Sequence, residues 1–383
     1  MHFGLTEEQE LLKETAEGFV DKHCPPTKAK EWDETETFPA ELWERMAELG
    51  WFSLPYPEAW GGGGGGVIEL CLIAEALGRA SLDVAMAYVG TFIPGLVIFR
   101  FGTDEQRERF RDGLLEGRYR FSVAISEPDA GSDVAALRTT AEERGDELVL
   151  NGQKMWCTGA GLPGAMIAMY VRTEPAAARH RGISLVLVPN DAPGLDVRRT
   201  PTLARHLLGT NEVFLHDVAV PKTNLVGTPG EAWSMLMSGL DLEKVVMAAC
   251  YIGVAQATMD EMLQYSKERH QFGRPIGTFQ ALAHEMADLQ TDVDAGRLLA
   301  YRAAWLLQNG DDCTREAAMA KLKCSETYVA AARLGMQVLA GHGFATESVM
   351  SFRWRESIVA TISGGTSQIQ RNAICRSMGL RTY

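Results

Sequence analysis

The sequence lacks the cysteine and histidine spacings that mark disulfide-stapled folds and zinc sites. Its 7 cysteines are odd in number and scattered, no two of them are spaced C-x-x-C, and its 8 histidines form no H-E-x-x-H pattern. A disulfide framework and a zinc centre both need such regular spacings. We therefore expect the cysteines to be mostly small core residues, and we predict no metal.

Basic charge and long apolar runs are also scarce. The 37 lysines and arginines against 50 acidic residues give a net charge of −13, which disfavours nonspecific binding to nucleic acid or to an anionic membrane. The uncharged runs 84–99 and 245–259 are shorter than the roughly 20 apolar residues of a membrane span, and Pro94 interrupts the first. We expect no membrane span. Because no basic region precedes an apolar core at the N-terminus, we predict a cytoplasmic protein.

What is present is an ordinary globular composition with a helical first third. The 383 residues are 46% hydrophobic and 23% charged, enough for two or three packed domains. Thr6 and Gln9 have the spacing of a capping box, which predicts a helix start. Further helical patterns cover residues 39–49, 67–81 and 103–116. The glycine run 61–66 lacks the G-K-[ST] ending of a phosphate loop and predicts a flexible loop.

The pattern changes to strands at about residue 121 and returns to helix beyond Gly230. Asn151-Gly152 separates two short apolar runs, which predicts a tight β-hairpin, and strand-like runs follow at 165–171, 183–188 and 213–220. An order of helices, then strands, then helices excludes a doubly wound nucleotide-binding fold. The G-x-G-x-x-G match at 159–164 precedes a strand-like run and no helix, so we reject a nicotinamide dinucleotide site there.

Five motifs in a fixed order carry the functional signal. They are Ala124 to Asp133 (AISEPDAGSD), Lys154 to Thr158 (KMWCT), Glu268 to Gly273 (ERHQFG), Gln337 to Gly343 (QVLAGHG) and Gly365 to Gln370 (GTSQIQ). With the helical, β, helical layout, this set resembles the acyl-CoA dehydrogenase family across essentially the whole chain.

The resemblance implies an α+β fold with an N-terminal α-helical domain (1–120), a middle antiparallel β-barrel or sandwich domain (121–229) and a C-terminal four-helix bundle domain (230–383). It also implies FAD held between the domains of a homotetramer, with an electron-transferring flavoprotein as electron acceptor. The implied reaction oxidises a saturated acyl thioester to an enoyl thioester: a carboxylate takes an α-proton while a hydride leaves the β-carbon for flavin N5.

The resemblance also assigns site residues, motif by motif. The flavin would contact Val123, Ile125, Ser126, Gly131, Ser132, Trp156 and Thr158. Arg269, Phe272, Gln280, Gln337, Val338 and Gly341 resemble residues that reach the FAD of a neighbouring subunit, and Thr366 and Gln368 complete the cofactor set. The substrate set is Ser132, Asp241, Lys244 and Gly365. For Arg269 the role is physically reasonable, because a guanidinium offers paired donors to pyrophosphate oxygens.

The catalytic base departs from the commonest family pattern, in which a glutamate stands just before Gly-Thr in the last motif. Gly364 holds that position here, and glycine cannot accept a proton, although its backbone N–H can donate to the thioester carbonyl. The isovaleryl and long-chain types place the base on a helix before a Gly-x-Ala-Gln stretch, and Glu243 occupies that place. The resemblance therefore implies Glu243 as the base, whereas composition alone favours a solvated helix residue.

Two smaller departures leave the substrate open. Lys244 stands where an arginine is usual and Ala340 where a glycine is usual, which affects contacts to the far end of the substrate. We expect a short or branched acyl chain on CoA or on an acyl carrier protein. The alternatives are further γ,δ desaturation of an enoyl thioester, operation as a reductase, a flavin monooxygenase on the same fold, and a non-enzymatic scaffold.

Overall fold

The computed structural model of the chain describes residues 4–174 and 179–381, which form two compact units. Unit 1 comprises Met1–Thr37, Gly65–Met86 and Asp241–Tyr383. Unit 2 comprises Phe38–Gly64 and Ala87–Leu240.

Helices account for most of unit 1 and for the start of unit 2. In chain order they are α1 (Glu7–His23), α2 (Pro26–Glu34), α3 (Ala40–Glu48), α4 (Val67–Ala80), α5 (Leu82–Phe101), α6 (Asp104–Leu115), α7 (Ala232–Glu268), α8 (Gln280–Gln308), α9 (Thr314–Leu339), α10 (Gly341–Phe344), α11 (Val349–Ala360) and α12 (Ser367–Ser377). The helical patterns at 39–49, 67–81 and 103–116 correspond to α3, α4 and α6, so these predictions are confirmed.

The predicted capping box at the start of α1 is present. Thr6 Oγ1 accepts the backbone N–H of Gln9 at 3.2 Å, and Gln9 Oε1 accepts the backbone N–H of Thr6 at 3.1 Å. Thr103 and Gln106 repeat the arrangement at the start of α6. These side chains satisfy backbone donors that the first helical turn leaves without partners.

In unit 1, the backbone of α4 closely approaches the backbone of α7 near residues 250–253. An ideal Cβ on Gly78 would lie 2.3 Å from the carbonyl oxygen of Cys250, and one on Gly253 would lie 2.0 Å from the carbonyl oxygen of Glu75. Neither distance is compatible with a side chain, so only glycine allows this approach. Gly253 belongs to the Gly-x-Ala-Gln stretch, and its packing fixes the part of α7 that follows Glu243.

Unit 2 contains one mixed eight-stranded sheet. Its strands are β1 (Arg120–Ala124), β2 (Thr140–Arg144), β3 (Glu147–Thr158), β4 (Ala165–Arg172), β5 (Ile183–Pro189), β6 (Leu195–Thr200), β7 (Thr210–Pro221) and β8 (Leu225–Val226). Their order is β6-β7-β3-β2-β4-β5-β8, and β1 pairs with β4. The sheet is not wholly antiparallel as predicted, because β1 and β2 each pair in parallel with β4. The chain between β1 and β4 is long enough for the crossover that parallel pairing requires.

The predicted hairpin at Asn151-Gly152 is wrong. β3 continues through both residues, and the turn between β2 and β3 lies at Gly145-Asp146, where Arg144 pairs with Glu147. The register with β7 shifts between Leu150 and Gly152, whose φ is 145°. The Asn-Gly pair therefore marks a β-bulge, which glycine also favours.

Pro94 does not interrupt the first uncharged run, because α5 continues through it. This helix of 20 residues has a mean hydropathy of 1.8 over its most apolar 18 residues, which by length and composition would allow it to cross a membrane. However, 83% of that window is buried inside the protein. A helix that is apolar on all sides and enclosed by the chain is typical of a protein core.

We expect Gly78→Ala to lower the free energy of unfolding by about 1 to 3 kcal/mol, because the new methyl group would press on the Cys250 carbonyl. Gly18→Ala is the matched control: it also lies inside a helix, its Cβ would meet nothing within 4 Å, and it should stabilise by roughly 0.5 to 1 kcal/mol. Urea unfolding of both variants measures the difference. Equal effects at the two positions would contradict the close approach of α4 and α7.

Candidate active site

The carboxyl group of Glu243 lies beside Gly364. Glu243 is on α7, and its Oε1 is 3.7 Å from an ideal Cβ built on Gly364. That Cβ would also lie 2.9 Å from the Sδ of Met247, one helical turn after Glu243. A carboxylate projecting from position 364 would therefore enter the space that Glu243 and Met247 already border. Positions 243 and 364, the two places where the sequence analysis considers a base, therefore border the same volume.

Gly364 and Gly365 form a left-handed turn between α11 and α12. Their φ angles are 61° and 82°. Gln370 Nε2 donates to the carbonyl oxygens of Gly364 at 3.1 Å and Gly365 at 3.0 Å. Because a trans peptide directs its C=O and N–H to opposite sides, the N–H groups of Gly365 and Thr366 point away from Gln370.

Lys321 supports the same turn from α9. Its Nζ donates to the carbonyl oxygens of Ala360 at 2.9 Å and Gly365 at 2.8 Å, and its side chain is fully buried. Burial lowers the pKa of the Lys321 ammonium to about 8, although the negative charge of Glu243 opposes this shift. A positive charge is thus held next to the candidate base.

The two predicted substrate residues on α7 bind each other. Lys244 Nζ and Asp241 Oδ1 are 2.8 Å apart, and both side chains are largely buried. The second oxygen of Asp241 accepts the hydroxyl of Thr314 at 3.1 Å, at the start of α9. Lys244 is therefore held in place by Asp241, which makes it a fixed positive charge on the same helix as Glu243.

Thr366 caps α12. Its Oγ1 accepts the backbone N–H of Ile369 at 3.2 Å, and the hydroxyl hydrogen remains as a donor. Gln368 is exposed in the first turn of this helix. Both residues of the predicted cofactor set therefore lie at a helix N-terminus, where N–H groups and the helix dipole favour negative charge.

In unit 2, the predicted flavin residues lie where β1 and β3 end. The register between β3 and β7 shifts between Lys154 and Cys157, and Trp156 inside this bulge has φ 61° and is 56% exposed. The backbone N–H of Met155 donates to the carbonyl oxygen of Ser126 at 2.9 Å, which joins the two segments. Ser126 and Thr158 are half-buried. An exposed indole near half-buried hydroxyl groups suits a planar ring with polar edges.

A buried ion pair holds these segments. Lys154 Nζ lies 2.7 Å from Glu127 Oε1 and donates to the carbonyl oxygen of Ile125 at 3.1 Å. Glu127 also accepts the backbone N–H groups of Arg138 at 2.6 Å and Thr139 at 2.9 Å. Burial opposes ionisation of Glu127, but Lys154 and these hydrogen bonds hold the pKa of its carboxyl below the ordinary value.

The rest of the unit 2 set is accessible. Val123 and Ile125 are half-buried, and Gly131 and Ser132 are exposed. A Cβ on Gly131 would meet nothing within 4 Å, so there is room next to this loop. The residues present in unit 2 fit the ring of a flavin.

The remaining cofactor residues lie on unit 1, and most face solvent in the single chain. Arg269, Phe272, Gln280, Gln337 and Gly341 are exposed, with Phe272 at 93%. Phe272 lies in the short hairpin of β9 (His270–Gln271) and β10 (Arg274–Pro275), where its φ is 53°. Exposed arginine and amide side chains fit a pyrophosphate-containing ligand. Val338 is buried, so only its backbone can serve such a ligand.

Models of known protein families match nearly the whole chain. The N-terminal, middle and C-terminal domains of acyl-CoA dehydrogenase match residues 6–118, 122–218 and 230–379. The chain belongs to the acyl-CoA dehydrogenase family. It is an FAD-dependent oxidoreductase, and the predictions of the family, the three-part fold, the enzyme class and the cofactor are confirmed.

Individual members of the acyl-CoA dehydrogenase family are similar along their full length. The chain is 36% identical to the probable acyl-CoA dehydrogenase YngJ of Bacillus subtilis, covering 99% of this chain and 100% of that protein. It is 33% identical to the caffeyl-CoA reductase–Etf complex subunit CarC of Acetobacterium woodii, covering 96% and 97%. The solved structure of butyryl-CoA dehydrogenase from Megasphaera elsdenii superposes with a TM-score of 0.93 at 29% identity, covering 99% and 100%.

The sequence assigned no role to three residues at or near the glycine turn: Lys321, Gln370 and Met247. Lys321 had a usable signal, because Ala317, Lys321, Cys324 and Tyr328 recur at helical spacing and form a buried stripe in α9. A lysine within an apolar stripe needs polar partners, and this requirement indicates a specific role for its side chain. Gln370 ends the motif Gly365 to Gln370, but the motif does not show that its side chain binds the glycine carbonyl oxygens. Met247 carries no sequence signal, since methionine is ordinary in an apolar helix.

We expect Ala340→Gly to raise the free energy of unfolding by about 0.5 to 1 kcal/mol. Ala340 ends α9 with φ 51° and ψ −127°, a conformation that disfavours any residue with a Cβ. The gain is partly offset by the larger entropy that glycine gives the unfolded chain. Ala345→Gly, at an ordinary φ of −65°, is the control and should destabilise. Destabilisation by both substitutions would contradict the strain at Ala340.

Proposed function

We propose that this enzyme dehydrogenates a short- or branched-chain acyl thioester to the enoyl thioester, with Glu243 as the base. The observation that carries the proposal is the 3.7 Å between Glu243 Oε1 and the Cβ position of Gly364. This distance supports the assignment because it brings the carboxyl group of Glu243, on α7, close to position 364. In the commonest family pattern, position 364 carries the catalytic glutamate. The missing side chain at Gly364 leaves that place to Glu243.

The residues of this chain divide the chemistry among them. Glu243 takes the α-proton, and the backbone donors of the turn at Gly364 and Gly365 hold the thioester carbonyl oxygen where negative charge develops. When bound, FAD supplies the acceptor for the hydride that leaves the β-carbon. Asp241 keeps Lys244 in place toward the distal part of the substrate.

We propose that residues of both units bind FAD. In unit 2, Ser126 would bond the flavin ring, and Trp156 and Thr158 would lie beside it. The flavin would be lined by Val123, Ile125, Gly131 and Ser132. In unit 1, Thr366 and Gln368 complete the cofactor set at the N-terminus of α12. The exposed residues Arg269, Phe272, Gln280, Gln337 and Gly341, with the backbone of Val338, serve the FAD of a neighbouring subunit.

The assembly and partners are part of the same proposal. The exposure of Phe272 in the single chain supports a homotetramer in which this ring is covered. An electron-transferring flavoprotein as acceptor is supported by the relative CarC, whose name places it in an Etf complex. We also propose domain boundaries at 1–120, 121–229 and 230–383 and a cytoplasmic location. Both CoA and acyl carrier protein remain candidates for the carrier.

A second candidate function is the reverse reaction, reduction of an enoyl thioester. It is favoured by the 33% identity to CarC, which is named as a reductase subunit. The same carboxyl group would then return the α-proton. γ,δ desaturation would use the same residues, whereas a flavin monooxygenase would have no use for a base at Glu243.

We expect Glu243→Gln to bind FAD and thioester normally but to reduce its flavin about 10² to 10⁴ times more slowly, because it removes the proton acceptor and keeps the side-chain shape. Anaerobic mixing with butyryl-, isobutyryl- and isovaleryl-CoA, followed at the flavin absorbance, measures the rate. Asp260→Asn, on the same helix and paired with Arg79 at the surface, is the control. Bleaching of the Glu243→Gln protein at the parent rate would remove Glu243 from the mechanism.

We expect the double variant Glu243→Gln, Gly364→Glu to recover part of the lost rate and to prefer straight acyl chains. The new carboxylate enters the volume next to position 243, but Met247 obstructs it and the left-handed backbone disfavours a side chain there. Adding Met247→Ala should improve the recovery by relieving that contact. If a folded, FAD-loaded double variant recovers no activity, the result would show that position 364 does not face the reacting carbons.

A further inference from the structure

Lys321 is a buried cation whose position no motif explains. It lies on the apolar stripe of α9, is fully buried, and donates to two carbonyl oxygens, those of Ala360 and Gly365. Ala360 is the last residue of α11, and Gly365 lies two residues before α12. The ammonium therefore bridges both ends of the turn 361–366. A neutral apolar side chain would fill this site without the cost of burying a charge.

The turn needs such support because its own sequence gives it little. Its residues are Thr-Ile-Ser-Gly-Gly-Thr, with no charged side chain and two glycines that have many conformations open to them. Lys321 and Gln370 bind the carbonyl oxygens of the glycines, which fixes the direction of the peptide planes. The N–H groups of Gly365 and Thr366 are directed by the same planes.

Besides holding the turn 361–366, Lys321 acts through its positive charge on the groups around it. The charged groups that influence it are Glu243 and Lys244 on α7 and Glu326 on α9, and Glu326 is itself paired with Arg371 on α12 at 2.8 Å. Glu243 attracts the ammonium and Lys244 repels it. The attraction is mutual, so a charged Lys321 places positive potential at the carboxyl group of Glu243.

We propose that Lys321 is a positioning residue for the dehydrogenation: it clamps the turn 361–366 so that Gly364 and its neighbouring N–H groups are held beside Glu243, and it supplies positive potential there. This inference rests on the proposed function. Lys321 takes no proton from the substrate and acts only through the turn and through Glu243.

The test compares Lys321→Met, which keeps length but removes donors and charge, with Lys321→Arg, which keeps both. Lys30→Met is the control, because Lys30 is another buried lysine of unit 1 and pairs only with Glu34 in its own helix among the contacts described. In the FAD-loaded proteins, two quantities are measured: amide hydrogen exchange of residues 361–367, and the pH dependence of flavin reduction by butyryl- and isovaleryl-CoA.

We expect Lys321→Met to exchange faster at 361–367 and to reduce flavin about 10 to 100 times more slowly at pH 7, since small displacements of catalytic groups have effects of this size. The parent rate should fall as pH rises above about 8, where Lys321 loses its proton. That fall should move to higher pH in Lys321→Arg and be absent in Lys321→Met. Lys30→Met should keep the parent rate and profile.

The outcomes separate this inference from the proposed function. If no thioester reduces the parent, the proposed function fails, and the exchange measurement still decides whether Lys321 holds the turn. If the parent is reduced but Lys321→Met matches it in rate, pH profile and exchange, the inference is wrong and the function stands. Should Lys321→Met not fold, an unchanged fall near pH 8 in Lys321→Arg overturns the inference.

Discussion

The candidate catalytic centre depends on one constraint, the absence of a side chain at Gly364. Any Cβ there would press on Met247 and approach the carboxyl group of Glu243, and the φ of 61° already disfavours other residues. A carboxylate at position 364 would therefore border the same volume as Glu243, with Met247 as its main steric obstacle. The bare backbone at Gly364 and the carboxyl group of Glu243 thus belong to one small region of unit 1.

Each unit also buries a lysine that fixes a turn. In unit 1, Lys321 binds the carbonyl oxygens on both sides of the glycine turn. In unit 2, Lys154 binds Glu127 and the carbonyl oxygen of Ile125, next to the predicted flavin residue Ser126. Buried charges stabilise a fold little in net terms, because desolvation offsets the attraction, but removing one partner costs about 3 to 5 kcal/mol. Such groups specify local geometry more than they add stability.

The sequence was sufficient for the elements with strong local signals and insufficient where tertiary contacts decide. The capping box follows from the spacing of Thr6 and Gln9, and the helices at 39–49, 67–81 and 103–116 follow from hydrophobic periodicity. In contrast, Asn151-Gly152 has the same local preference for a turn and for a bulge, and pairing with β7 selects the bulge. Pro94 lies inside α5 because burial on all sides outweighs the lost hydrogen bond. The motifs indicated Glu243 and Gly364 separately, but only the fold shows that they are neighbours. Lys321 was visible only as a charge in an apolar stripe.

Residues other than glycine with positive φ give independent evidence for the location of functional residues. Within residues 4–174 and 179–381, seven non-glycine residues have positive φ, and among them are Trp156, Phe272 and Ala340. Trp156 and Phe272 belong to the predicted cofactor set, and Ala340 immediately precedes Gly341 of that set. A bulky residue in this conformation costs about 1 to 3 kcal/mol, so a fold under selection for stability alone has no reason to keep an exposed tryptophan or phenylalanine there. A ligand or neighbouring subunit that needs these aromatic side chains at a fixed angle supplies that reason. The strain therefore favours a working flavoenzyme over a scaffold that only preserves the fold.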